Sequence, residues 1–176
     1  VLMGMAGLAG VAEPMWAKPE AGVESVRQAV SKPAYQPQKM SFDEFKVRLR
    51  QQGLFDSDIK IPMRDGVQLA ATVFKSPVGS FPTVLVRTPY GRKNIPELDK
   101  LQLLVLTGYS LVFQDTRGRY DSEGEPLIFL SDGWGTLQDG YDTIEWIAAQ
   151  KWNNGKVVMW GHSALGILSG LAAGAV

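Results

Sequence analysis

The sequence predicts an α/β fold: a mostly parallel sheet with an antiparallel hairpin at its N-terminal edge. Three observations carry that prediction. Two short segments of alternating character flank Arg64-Asp65-Gly66, as in a hairpin. From residue 83 onward, apolar strand-like runs alternate with segments of helical period, the pattern of a parallel sheet with crossover helices. A glycine-flanked serine in Gly161-His162-Ser163-Ala164-Leu165-Gly166 separates a strand-like run from an apolar segment suited to a buried helix.

The elements follow in order. Residues 1–12, from Val1-Leu2-Met3 to Val11-Ala12, are apolar and rich in small side chains. They read as the h-region of a secretory signal, cleavable at Ala12 or Ala17 and too short to cross a bilayer as a stable helix. Residues 1–17 are therefore expected to be a signal-peptide remnant. Pro14, Pro19, Pro33 and Pro37 mark a linker or surface arm. Ser41 can cap a helix with Glu44 three residues on, and Phe42, Phe45 and Leu49 share one face. Arm and helix together make residues 18–55, and the sheet domain occupies residues 56–176.

Within that domain, Asp58-Ile59-Lys60-Ile61-Pro62 alternates as a half-buried strand and turns at Arg64-Asp65-Gly66 into residues 67–74. Thr83-Val84-Leu85-Val86-Arg87 reads as a more central strand ending in the loop Thr88-Pro89-Tyr90-Gly91. Leu98, Leu101, Leu104 and Val105 repeat at helical spacing, with Gly108 as a stop. Ser110–Gln114 is the next strand. Leu137, Tyr141, Ile144 and Ala148 then mark an amphipathic helix, and Val157-Val158-Met159-Trp160 leads into the serine turn.

Composition narrows the function. The 176 residues suffice for one domain with a real core. A formal charge of zero leaves no electrostatic footprint for nucleic acid or an anionic membrane. The absence of cysteine excludes disulfides and thiolate metal sites. Asp121, Glu123 and Glu125 lack the glycine placement and terminal Glu of a calcium loop and read as a solvated turn. No metal and no cofactor are expected.

A serine on a sharp turn between strand and helix is the nucleophile elbow of an α/β-hydrolase, and the chemistry explains its glycines. The turn must push the serine oxygen into the cleft, and a Cβ at either glycine would crowd it. The second glycine, Gly166, falls one position later than in the commoner G-x-S-x-G. Four upstream blocks accompany the elbow. They are residues 61–69 (Ile61-Pro62-Met63-Arg64-Asp65-Gly66-Val67-Gln68-Leu69), Arg87-Thr88-Pro89-Tyr90-Gly91-Arg92, residues 114–125 with Asp115-Thr116-Arg117-Gly118, and Asp139-Gly140-Tyr141-Asp142-Thr143-Ile144-Glu145-Trp146. In order and spacing, residues 56–170 resemble the family of bacterial cocaine esterase, α-amino-acid ester hydrolases and X-prolyl dipeptidyl peptidases.

That resemblance implies a serine acyl hydrolase cutting ester or amide bonds, X-Pro dipeptidyl bonds included, through an acyl-enzyme on Ser163. It also implies a helical cap and a C-terminal jelly-roll domain. Elbow geometry makes the backbone N–H of Ala164 one oxyanion donor. The resemblance supplies the second, the hydroxyl of Tyr90; the alternative is a loop tyrosine half-packed on the surface. The family often carries Tyr directly after the serine, so Ala164 alters the pocket wall. The expected partner is a small ester, amide or short peptide, with no nucleic acid and no stable membrane span; the oligomeric state stays open.

The other polar and aromatic residues read as structural. Asp115, Arg117 and Arg119 are expected to form an ion pair and tight turn, and Asp139, Asp142 and Glu145 to cap their helix or face solvent. Trp134, Trp146, Trp152 and Trp160 read as packing residues. His162, the one histidine, adjoins Ser163, is poorly placed to act as its base and reads as packing too. The triad order Ser, Asp or Glu, His places both partners after Val176. The expectation is therefore an incomplete α/β-hydrolase sheet, truncated after the elbow and nearly inert alone. A non-catalytic domain lacking the triad Asp and His is the alternative. The expected location is secreted or periplasmic, with the cytoplasm as the other option.

Overall fold

The computed structural model describes residues 41–94 and 104–175. The expected signal segment, the proline-rich arm, and Leu98 and Leu101 lie outside the described residues. The chain divides into Val1–Gln38 and Lys39–Val176, and every described residue falls in the second unit.

Helix α1 (Phe42–Gln51) starts on the capping box its sequence encodes. The backbone N–H of Glu44 donates to Ser41 Oγ at 3.3 Å, and that of Ser41 to Glu44 Oε2 at 2.8 Å. Its apolar face buries Phe45 and Leu49 against Phe55, Phe74 and Phe113, so α1 packs as part of the sheet unit. Strands β1 (Phe55–Pro62) and β2 (Gln68–Phe74) form the antiparallel hairpin. Its turn closes through Met63 N–H on Val67 O at 2.8 Å, with Gly66 at φ 86°. β1 begins three residues before its alternating stretch, because the ladder is interrupted between Asp56 and Ile59. The freed Ser57 carbonyl accepts from Arg92 Nη2 at 3.0 Å.

Strands β3 (Phe81–Thr88), β4 (Ser110–Asp115) and β5 (Asn153–Met159) complete a five-stranded sheet in the order β1-β2-β4-β3-β5. β2 runs against both its neighbours, and β3 pairs parallel with β4 and with β5. The expected sheet, parallel with an antiparallel edge hairpin, is the one found. Alternation along β3 sends Val84 and Val86 into one core with α1 and Val105. Leu85 joins the other, with Ile61, Val73, Val112 and Ile147.

Helix α2 (Asp139–Ala148) corrects the expected buried face. Leu137, Tyr141, Ile144 and Ala148 are half-buried, whereas Asp139, Gly140, Thr143 and Ile147 are fully buried. The cause is close helix packing on α3 (Ala164–Ala173). A Cβ at Gly140 would lie 2.4 Å from Ala172 Cβ, and one at Gly133 would lie 2.2 Å from the Leu171 carbonyl oxygen. Small and polar residues make this face, so a search for apolar periodicity passes over it.

Candidate active site

The elbow grows out of β5. Met159 pairs with Leu85, and the Trp160 N–H donates to Leu85 O at 3.0 Å, keeping the strand paired through its last residue. The chain then bends through Gly161-His162-Ser163 and α3 starts at Ala164. Ser163 sits at φ 52°, ψ −127°, a backbone conformation that costs a non-glycine residue about 1–3 kcal/mol and clusters at functional sites. A Cβ at Gly161 would stand 2.4 Å from Leu165 Cβ and 2.7 Å from its carbonyl carbon. Only glycine fits there. Gly166 is less constrained, its added Cβ reaching 3.2 Å from the Gly161 carbonyl oxygen.

Ser163 is exposed and Ala164 is buried. The Ser163 side chain makes no capping bond to α3, so its hydroxyl is not spent on the helix. Ala164 is the first helical residue, and its N–H therefore has no intrahelical acceptor. Tyr90 lies in the loop beyond β3, 58% exposed, with its N–H on Thr88 Oγ1 at 3.1 Å. Because β3 and β5 are parallel neighbours, the Tyr90 loop and the serine turn leave the same end of the sheet, where open parallel sheets bind ligands.

The charged residues around this end are structural, but their pairings differ from those expected. Asp115 and Arg117 do not pair with each other. Asp115 receives the Arg92 N–H at 2.6 Å and its guanidinium at 2.5 Å. Arg117 instead bridges Asp139 at 2.6 and 2.9 Å and Asp65 at 2.8 and 3.1 Å. Asp139 neither caps α2 nor faces water; it is fully buried beneath Arg117. Asp142 likewise grips Arg64, accepting from its backbone N–H at 2.9 Å and from Nη2 at 2.8 Å. Asp121 stays exposed in its turn, as expected, but it is also paired: Arg92 and Lys93 both donate to it, at 2.7 and 3.0 Å. These contacts lock β1, β4 and α2 around the C-terminal end of the sheet.

The proton equilibria follow. Hydrogen bonding to Asp139 raises Arg117 further above its ordinary value, against the opposing effect of burial. The Arg117 guanidinium holds the Asp65 carboxyl below the ordinary aspartate value, and Lys93 and then Arg92 do the same for Asp121. A carboxyl whose folded pKa is depressed contributes stability above its unfolded pKa, about 3.9, and loses it as pH falls through the folded value. Thermal stability is therefore expected to drop as pH is lowered below about 4. Asp65→Asn should flatten that acid limb and lower stability at pH 7; an unchanged acid slope in differential scanning calorimetry would remove Asp65 from it.

One buried group escaped sequence reasoning. Arg87 is 1% exposed inside central strand β3 and pairs with Asp132, itself buried. Its Nε donates to Gln114 Oε1 at 2.7 Å, which also accepts from Thr143 Oγ1 at 3.0 Å. A lone cation ending the apolar run Thr83–Val86 was the available signal. Of the expected packing residues, Trp146 and Trp152 meet edge to face at 6.4 Å, whereas Trp134 is 69% exposed. His162 is exposed and stands edge-on to Trp160 at 6.2 Å, a surface contact and not core packing. Among the described residues, no group of His, Asp and Glu could hold a metal ion, and no helix is long and apolar enough to cross a membrane.

A five-stranded sheet in the order β1-β2-β4-β3-β5, with a positive-φ serine between β5 and its following helix, defines an α/β-hydrolase domain. The family model described as X-Pro dipeptidyl-peptidase (S15 family) matches residues 65–175, and the chain belongs to that family. Over 122 residues it is 38% identical to the cocaine esterase of Rhodococcus sp. (strain MB1 Bresler), spanning 66% of this chain and 21% of that protein. Its fold is similar to that of an α-amino acid ester hydrolase, at 33% identity and TM-score 0.54, covering 63% of this chain and 21% of the other. It is also similar to a CocE/NonD family hydrolase from Staphylococcus aureus, at 26% identity and TM-score 0.58, covering 68% and 25%. The chain thus spans about a fifth to a quarter of the length of these relatives.

Proposed function

We propose that the protein is a serine acyl hydrolase that opens ester or amide bonds, X-Pro dipeptidyl bonds among them, through an acyl-enzyme on Ser163. The observation that carries this reading is the positive φ of an exposed, non-capping Ser163 at the head of α3. Ser163 Oγ attacks the substrate carbonyl carbon as a base takes its proton. The oxygen that becomes negative is held by the Ala164 N–H and the Tyr90 hydroxyl. Collapse of the adduct expels the alcohol or amine, and water then releases the acid from Ser163. His162 is not that base, since it adjoins Ser163 in the turn and stands against Trp160, so the reading requires a base brought from another part of the fold.

A fluorophosphonate probe tests it. Labelling of the full-length protein that maps to Ser163 supports the proposal, and a folded protein left unlabelled overturns it. Tyr90→Phe should lower kcat by about 10²–10³-fold with a small change in KM, the signature of a donor acting on the transition state. An unchanged kcat would remove Tyr90 from the oxyanion site and leave Ser163 in place. The second reading is a domain that binds without catalysis. It predicts ester binding with no turnover and no Ser163 adduct.

A further inference from the structure

Besides Ser163, Tyr120 is held at positive φ, at 51°, and the residue stays 58% exposed. A bulky side chain in that conformation costs about 1–3 kcal/mol, and here burial of the ring does not offset it. The same loop uses glycine at two other positive-φ positions, Gly118 at φ 65° and Gly124 at φ 84°. At Gly118 the reason is plain, because a Cβ would reach 2.3 Å from Pro126 N. Position 120 keeps an aromatic ring where glycine would be less strained.

The surrounding contacts fix where that ring stands. A Cβ at Gly91 would come within 3.0 Å of two ring carbons of Tyr120, so the absent side chain at 91 is what seats the ring. Arg119 lies 5.9 Å from the ring centre, and its Nε donates to Pro89 O at 3.2 Å. Tyr90 is therefore flanked on both sides, at Pro89 by Arg119 and at Gly91 by Tyr120. Next along the chain, Asp121 is held by Arg92 and Lys93, and Ser122 ties the turn to Asp115 O at 2.8 Å. The ring borders a cleft of about 250 Å³ whose other walls are Gly91, Asn94 and the charged Arg92, Lys93, Asp115 and Asp121, so the ring is its one aromatic surface. The turn is held from several sides, and what it displays is an aromatic ring seated over Gly91, the residue that follows Tyr90.

We infer that Tyr120 is a specificity residue, its ring receiving an aromatic or other flat apolar group of the ester or amide whose carbonyl is polarised at Tyr90. The inference rests on the acyl-hydrolase reading of Ser163 and Tyr90. Aromatic pairs contribute about 0.5–1.5 kcal/mol beyond area burial, which corresponds to roughly 2–10-fold in selectivity.

The test compares full-length wild type with Tyr120→Gly and Tyr120→Leu on methyl acetate, phenyl acetate and methyl benzoate. The kcat/KM preference for phenyl acetate or methyl benzoate over methyl acetate should fall about fivefold in both variants. Tyr120→Gly should meanwhile raise Tm by about 2–4 °C through relief of the positive φ. A merely structural tyrosine would lose stability and leave the ratios alone. Both ratios staying within twofold of wild type would overturn the inference, as would a lowered Tm in Tyr120→Gly. If wild type hydrolyses none of the three esters and takes no label at Ser163, the hydrolase reading fails, and the specificity role falls with it.

Discussion

Ser163→Gly is expected to abolish hydrolysis, by a factor of about 10⁶ in kcat, while making the protein more stable. The two effects have one origin. Ser163 occupies φ 52°, ψ −127°, where only glycine sits without steric cost. Removing the side chain removes the hydroxyl proposed to attack and relieves about 1 kcal/mol or more of backbone strain. For a chain of 176 residues, that corresponds to a Tm rise of about 2–4 °C. Ser163→Ala isolates the chemistry: it loses the same rate but keeps a Cβ at positive φ, so its Tm should stay near that of wild type. Stability and rate measured on both variants decide the matter. A Ser163→Gly protein that melts lower than wild type would show that the turn is not strained, and the structural argument for a nucleophile would go. A Ser163→Ala protein that still turns over substrate would dismiss Ser163 from catalysis directly.

The strain could be anticipated from sequence because its determinants are local. Gly161, Ser163 and Gly166 lie within six residues, and the turn they need is set by sterics over one bend. The Ser41–Glu44 capping box and the Gly66 hairpin turn were legible for the same reason. Partners far apart in sequence were not. Arg64 meets Asp142 across 78 residues, Arg92 meets Asp115 across 23, and Arg117 meets Asp139 across 22. A charge carries no mark of its partner until the sheet order brings β1, β4 and the start of α2 together. So Asp139 reads as a helix cap in sequence and proves to be a buried counter-ion. The face of α2 was missed for a different reason. Gly140, Thr143 and Asp139 are buried by the close approach of α3 and by hydrogen bonding, neither of which leaves an apolar stripe.

Arg87→Met alone is expected to destabilise the protein by about 3–5 kcal/mol, because it strands the Asp132 carboxylate in the interior. Asp132→Leu alone should cost a similar amount by stranding the guanidinium. The double variant should recover most of that loss. The pair is fully desolvated and incompletely satisfied: Arg87 Nη2, Asp132 Oδ2 and Gln114 Nε2 have no hydrogen-bond partner among the described residues. A buried network with loose ends brings little net stability over an apolar replacement of similar volume. Its value lies in position. Asp132 precedes Gly133, whose backbone packs against the Leu171 carbonyl with no room for a Cβ, so the pair pins the loop on which the helix behind Ser163 rests. Denaturant melts of the two singles and the double form a cycle, and additive losses would show that Arg87 and Asp132 do not act as a pair. If positioning is the reason for the pair, the double variant should melt like wild type yet react more slowly at Ser163. A double variant with both stability and rate intact would assign the pair no role in holding the elbow.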